Sequence, residues 1–304
     1  MINRKRLEPL ELIFFKYLSS RMALSDTDFW RYQTLKKGYE GEKKSDIWLQ
    51  DLSDEWIVLH DLLLEYNQSK FQIDTLIFTY EKIHLLDVKN YEGDYTDNGE
   101  NWSTETNLKV QNPLHQLNRC EILLSKLLHS LGCHYPIESH LIFIHPEFHL
   151  YQTSINPKII FPAQLNRFMK KLNSRPVKLS DKYLELAEQI ISMHIVQQPC
   201  MPPYSYDQLR KGIICPKCYS FYTQRVRNKL ICGTCSTLEE VDSAVLRSVK
   251  EFMFLFPDQL VTTDIIHDWC SIVKSKKTIR RILSSNFKLV GHSKTANYIV
   301  YEDK

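Results

Sequence analysis

Two apolar runs of strand length, Ile73–Thr79 and Ile83–Val88, are separated only by Tyr80, Glu81 and Lys82. A connection that short predicts an antiparallel hairpin. Asp74 lies near the start of the first run, and Asp87 and Lys89 end the second. Side chains alternate along a strand, so Asp87 and Lys89 share a face and Val88 takes the other. Pairing that sets Asp74 near Asp87 or Lys89 brings two carboxylates and an ammonium to one end of a small sheet. That arrangement is costly unless a cation joins it.

The neighbouring segments supply the rest of an α/β layer. Residues 5–37 carry Leu7, Leu10, Ile13, Phe14, Tyr17 and Leu18, then Phe29, Trp30, Tyr32 and Leu35, at helical spacing that predicts two packing helices. Gly38-Tyr39-Glu40-Gly41-Glu42 then leads into an amphipathic stretch with Ile47, Trp48, Leu49 and Leu52, placing Glu42 in the first turn of a further helix. Trp56–Leu64 reads as a strand before the hairpin. The polar segment Asn90–Asn112, with Trp102 inside it, is long for a loop and is expected to hold a further short strand or to lie beside the site. Pro113 suits the first turn of a helix through Leu131, with Gly132 as its stop. Ser139–Ile144 reads as a buried strand, and helices are predicted over Pro162–Leu172 and Ser180–Gln197. The order fits an α/β sandwich with a mixed sheet. No glycine-rich turn follows a strand, so a P-loop or Rossmann cradle has no support. The eleven histidines show no HExxH and no close spacing, and no serine sits in a Gly-x-Ser-x-Gly turn. A second transition-metal site is therefore not expected.

Gly38-Tyr39-Glu40-Gly41-Glu42, Gln72-Ile73-Asp74, Asp87-Val88-Lys89-Asn90 with Gly93, and Asn112-Pro113 with Gln116 together resemble the NERD (nuclease-related) domain over roughly residues 38–145. That family is similar to the PD-(D/E)xK nuclease superfamily, and the resemblance implies a restriction-endonuclease-like mixed sheet flanked by helices. It also implies a metal-dependent nuclease, in which Asp74, Asp87 and the Val88 carbonyl bind Mg²⁺ or Mn²⁺. Lys89 would orient or deprotonate the attacking water, Glu42 would hold a metal-bound water, and Gln116 would touch the region of the scissile phosphate. The proline that often precedes the first aspartate is Ile73 here, and the last acidic position is Asp rather than Glu. Chemically the set makes sense: hard oxygen ligands suit a divalent cation that neutralises phosphate charge, and a nearby lysine stabilises what develops in the transition state. The alternative reading keeps the fold as a catalytically silent nucleic-acid-binding or protein-interaction module.

Residues 198–211, rich in proline and polar side chains, read as a linker. Cys215-Pro216-Lys217-Cys218 and Cys232-Gly233-Thr234-Cys235 flank a short hairpin, and four thiolates at that spacing suit structural Zn²⁺ in a zinc ribbon. Arg225, Arg227 and Lys229 fall at its tip, where Arg225 and Arg227 are candidates for phosphate contact. Helices over Val241–Phe256, Asp264–Cys270 and Lys276–Leu283, then strands Lys288–Val290 and Tyr298–Tyr301, make a winged-helix-like succession. Its third helix carries Lys276, Lys277, Arg280 and Arg281, with Lys274 just before it and Lys294 at the wing tip. The domain plan is thus N-terminal helices (1–37), a nuclease-like domain with helical extension (38–197), a linker (198–211), a zinc ribbon (212–238) and a winged-helix-like domain (239–304). The net charge of +3 names no partner by itself, and the basic excess lies in the last third; the basic helix, the zinc ribbon and the nuclease-like core together point to nucleic acid, with DNA the expected partner. A protein partner for this region is the competing expectation. No apolar run is long enough to cross a bilayer, and no cleavage site follows the N-terminal apolar patch, so the expected place is the cytoplasm, away from membranes.

Overall fold

In the computed structural model, which describes residues 3–53, 55–174, 179–197, 199, 201–292 and 296–301, a short strand β1 (Asn3–Arg4) precedes two helices, α1 (Leu10–Arg21) and α2 (Asp26–Leu49). By its internal contacts the chain divides into two units. One comprises Met1–Pro9 and Gln33–Gln198, the other Leu10–Tyr32 and Pro199–Lys304.

The first unit is built on strands β2 (Ile57–Tyr66), β3 (Ser69–Phe78) and β4 (Ile83–Lys89), which form two successive antiparallel pairs. The expected hairpin is therefore β3–β4. Three short strands follow, β5 (Gly93–Asp97), β6 (Asn101–Thr104) and β7 (Lys109–Gln111), then helix α3 (Pro113–Ser130). Helix α3 starts where its Pro113 predicts, with the Asn112 side chain accepting from Leu114 N at 3.0 Å. It serves as the crossover between β4 and a parallel strand β8 (Ile137–Phe143). Strands β9 (Phe148–Tyr151) and β10 (Ile159–Ile160) and helices α4 (Leu165–Leu172) and α5 (Asp181–Ser192) complete the unit. The main sheet has the order β1-β2-β3-β4-β8-β10, and β7-β6-β5-β9 form a second one.

Helices α3 and α5 cover one face of the main sheet through Leu117, Leu124, Leu128, Tyr183 and Ile190, joined there by Trp102 and Phe148 of the second sheet. The end of α2 and α4 cover the other face through Leu49, Leu165 and Leu172. Strand β4 is buried on both faces, Ile83 and Leu85 toward α3 and Leu86 and Val88 toward α4, which is why its apolar residues fall at both parities. The polar segment Asn90–Asn112 holds three strands rather than one. Its outer face is solvated, so polar residues suffice there, while Trp102 is fully buried beneath it.

Helix α2 departs from expectation. The sequence reads as one helix ending near residue 37 and another starting at Glu42, but α2 runs unbroken through Gly38 and Gly41, so Glu42 sits in its second half rather than its first turn. The two glycines differ in purpose. A Cβ at Gly41 would lie 2.5 Å from Asn90 Cβ, just past β4, whereas one at Gly38 would meet nothing within 4 Å. Gly41 is what allows the helix backbone to approach the end of β4.

In the second unit β11 (Gln224–Val226), β12 (Lys229–Ile231) and β13 (Leu238–Glu240) form an antiparallel sheet beside the cysteine pairs. Helices α6 (Val241–Leu255), α7 (Thr263–Cys270) and α8 (Lys276–Asn286) follow, then the antiparallel pair β14 (Lys288–Val290) and β15 (Asn297–Ile299). Thr262 and Ser275 cap α7 and α8 by accepting from Ile265 N and Thr278 N. Arg21 of α1 joins this core: its side chain is buried, pairs with both carboxylate oxygens of Glu251 at 2.7 and 3.0 Å, and lies 3.7 Å over the Trp269 ring. Residues just after position 200 also pack here, with Leu209 buried and the Tyr206 ring 5.8 Å from Trp269.

The glycine pair of α2 yields opposite expectations for one substitution. Gly41→Ala forces the helix off Asn90 and should cost about 1–3 kcal/mol. Gly38→Ala removes only backbone freedom and should add about 0.5–1 kcal/mol. Urea denaturation of the two variants beside the parent checks both signs.

Candidate active site

The β2–β3 ladder is regular except in one row. His60 pairs with Thr75 and Leu62 with Ile73, but Asp61 and Asp74, which lie between them, do not pair. Asp61 has a left-handed backbone, φ 52°. Because one residue drops out of each strand, Leu59 and Leu62 face the same core, as do Leu76 and Ile73. The β3–β4 ladder also ends here, at Thr75–Leu86. Beyond it, Val88 N donates to the Asp74 side chain, reaching Oδ2 at 2.8 Å. A side chain has taken the place of a ladder bond. The Val88 carbonyl, on the same side of the strand as its N–H, faces the same gap.

Asp87 and Lys89 follow on the α3 face. Lys89 Nζ lies 2.6 Å from Asp87 Oδ1 and 3.4 Å from Gln116 Oε1 in the first turns of α3. Burial works against the Lys89 ammonium, but the charges of Asp87 and Asp74 outweigh it and raise its pKa. Asp74 is pushed up to about 8, by burial first and then by the charges of Asp87 and Glu42. Glu42 is also raised, by burial first, with Arg6 pulling the other way and Asp61 and Asp46 adding to the rise.

The structure therefore brings Asp74, Asp87, Val88, Lys89 and Gln116 together and sets Glu42 within electrostatic reach. It also shows what the sequence reading missed. Arg6, with its side chain only 3 % exposed, pairs with Glu42 at 2.5 Å and with Asp46 at 2.9 and 3.1 Å. It donates as well to the Asp74 carbonyl at 3.0 Å and to Thr75 Oγ1 at 3.3 Å. Glu42 and Asp46, four apart on α2, share the helix face that meets it. That spacing was a readable signal, whereas nothing marks Arg6 among the basic residues around it.

The model of the nuclease-related domain family, NERD, matches residues 37–144. The chain carries a NERD domain. No curated protein and no solved structure matched the chain. Every residue of the cluster except Arg6 lies within the matched span. For a divalent cation the NERD site offers hard oxygens from Asp74, Asp87 and the Val88 carbonyl, and Asp87 Oδ1 is buried with a lysine ammonium 2.6 Å away, which shows that a cation can reach it. That donor set fits such an ion.

In the second unit the Sγ atoms of Cys215, Cys218, Cys232 and Cys235 all lie within 4.8 Å of one another, with Cys215–Cys235 at 3.7 Å and Cys218–Cys232 at 3.4 Å. A tetrahedral ion with about 2.3 Å bonds to sulfur needs edges of about 3.8 Å, so the four thiols are placed to hold one. The basic residues are less uniform. Arg225 Nε donates to the Arg227 carbonyl, and Lys276 and Arg281 are tied to Asp264 and Asp242 at 2.6 and 2.7 Å. Lys277 and Arg280 are exposed on α8, and Lys294 lies outside the described residues. Among the described residues, no helix is long and apolar enough to cross a membrane.

Removing Arg6 leaves Glu42 and Asp46 without their cation beside Asp74. Arg6→Met should destabilise the protein by about 3 kcal/mol, the low end for a broken buried pair because the two carboxylates keep some solvent. Chemical denaturation measures it, and Glu42→Gln should restore part of the loss in the double variant.

Proposed function

We propose that this chain is a metal-dependent nuclease that hydrolyses phosphodiester bonds of nucleic acid, with DNA the favoured substrate. The observation that carries the reading is the replacement of a ladder bond by Asp74 Oδ2 on Val88 N. It gathers the acidic and carbonyl oxygens at the end of β4 with Lys89 beside them. Asp74, Asp87 and the Val88 carbonyl would hold Mg²⁺ or Mn²⁺. When bound, the cation would neutralise phosphate charge and make its water more acidic.

The protein's own groups divide the remaining work. Lys89, kept charged by Asp87 and Asp74, stabilises negative charge on the phosphate and orients the water, rather than taking its proton. Gln116 bonds Lys89 and fixes where the ammonium points. Glu42 is held by Arg6, which leaves it a positioning residue for a metal-bound water. In the second unit, Cys215, Cys218, Cys232 and Cys235 would bind structural Zn²⁺ in a zinc ribbon. Helices α6 to α8 with β14 and β15 support a winged-helix-like reading, in which Lys277 and Arg280 are free to meet phosphates.

The test is cleavage of supercoiled, linear and single-stranded DNA and of RNA by purified protein, with Mg²⁺, Mn²⁺ or chelator. Cutting should require the cation and fall at least about 100-fold in Asp87→Ala and Lys89→Ala. Folded, zinc-loaded protein that cuts none of these substrates but binds them would favour the catalytically silent module.

Burial and the charges of Asp87 and Glu42 raise the pKa of Asp74 to about 8, so protons compete with the cation. Mn²⁺ affinity should therefore rise between about pH 6 and pH 8, by no more than about tenfold per pH step of one for a single displaced proton. Calorimetric titration at three pH values checks the slope.

A further inference from the structure

On the α4 face of the main sheet a cavity of about 790 Å³ opens beside β4 and β8, lined in part by His84, Glu138, His140, Arg167 and Lys171. His84 and Glu138 are register partners of β4 and β8, and His140 is two residues along β8, so all three project from the same face. Ligand atoms of the three lie within 4.8 Å of one another. His140 Nε2 stands 3.4 Å from Glu138 Oε1, close to the edge of a tetrahedron of nitrogen and oxygen ligands about 2.1 Å from an ion.

The histidines are not ordinary core residues. His84 is 8 % exposed and His140 5 %. His84 Nδ1 and both ring nitrogens of His140 are buried with no hydrogen-bond partner. A buried ring nitrogen without a partner costs about 1–3 kcal/mol, so three in one cluster need an explanation. Burial above all pushes both rings down to about 4, so each offers a neutral lone pair. Glu138 gives its other oxygen to Lys82 Nζ at 2.6 Å, which orients Oε1 toward His140.

We propose that His84, Glu138 and His140 form a second transition-metal site, for a borderline ion such as Zn²⁺ or Co²⁺, with its remaining coordination positions open to the cavity. Two imidazoles and one carboxylate already shared with lysine favour such an ion over Mg²⁺, which prefers several hard oxygens. The site is separate from the NERD cluster. His84 and Asp87 stand three residues apart on β4, about 10 Å, and face opposite sides of the sheet. It is also independent of the nuclease reading, because no residue is shared.

The test uses the whole 304-residue chain carrying Asp87→Asn, so that the hard-oxygen site does not contribute. Metal-stripped protein is titrated with Co²⁺. The first site expected is the cysteine cluster, with strong thiolate-to-cobalt absorption in the near ultraviolet. A second equivalent should add only weak visible bands, resist excess Mg²⁺, and be lost in His84→Gln and in His140→Gln while the thiolate band stays. Glu138→Gln, at a partly exposed position that tolerates the change, should weaken the second equivalent about tenfold or more. A single equivalent per chain, or a second one indifferent to Glu138→Gln and to either histidine variant, overturns the proposal. If both histidine variants lose their far-ultraviolet circular dichroism, the result with Glu138→Gln decides alone.

Discussion

The NERD unit depends on one irregular row of its sheet. Where Asp61 and Asp74 leave the β2–β3 ladder, each strand changes which parity of residue faces the core. Apolar side chains before and after the break then share one cluster, and the polar pair at the break is released from pairing. Asp74 uses that freedom to bond Val88 N and hold β4 where the ladder no longer does. The row thus joins packing to chemistry. A regular sheet with these residues would send Ile73 or Leu76 to the wrong face.

Such a row concentrates negative charge, and the fold answers with two cations of different character. Arg6 is nearly enclosed and spends its donors on Glu42, Asp46, the Asp74 carbonyl and Thr75, so it binds α2 to β3 as well as balancing charge. Lys89 is a single ammonium on a flexible stem, close to Asp87 and steadied by Gln116. A planar fork suits the structural task of joining two elements, and a compact point charge on a flexible stem suits a more open position. The second unit repeats the first half of this logic with Arg21 and Glu251, a buried bidentate pair covered by Trp269.

Much of this was legible. The β3–β4 hairpin followed from two apolar runs and a three-residue gap, α3 from Pro113, and the cysteine cluster from its spacing, because each depends on contacts close in sequence. What escaped were features set by distant partners. The need for glycine at position 41 of α2 comes from the close approach of Asn90, and the strands within Asn90–Asn112 include one that pairs with β9. Arg6 reaches residues 36 to 69 positions away. The meeting of His84 with Glu138 and His140 across parallel strands joined by a helix has no sequence signature, since the crossover length is unconstrained by the side chains it brings together.

The sequence by itself determined the residues available for chemistry and their local order: an aspartate near the start of β3, Asp-x-Lys at the end of β4, a glutamine in the first turns of α3, and four cysteines in two knuckles. Period-two and helical spacing carry that much, because backbone geometry is the same wherever a strand or helix lies. Only the tertiary structure decided that Asp74 would abandon its ladder for Val88, that Arg6 would close the acidic row, and that two histidines 56 residues apart would stand beside Glu138. Those outcomes rest on which buried polar groups find partners, and a partner is known only once the chain has packed.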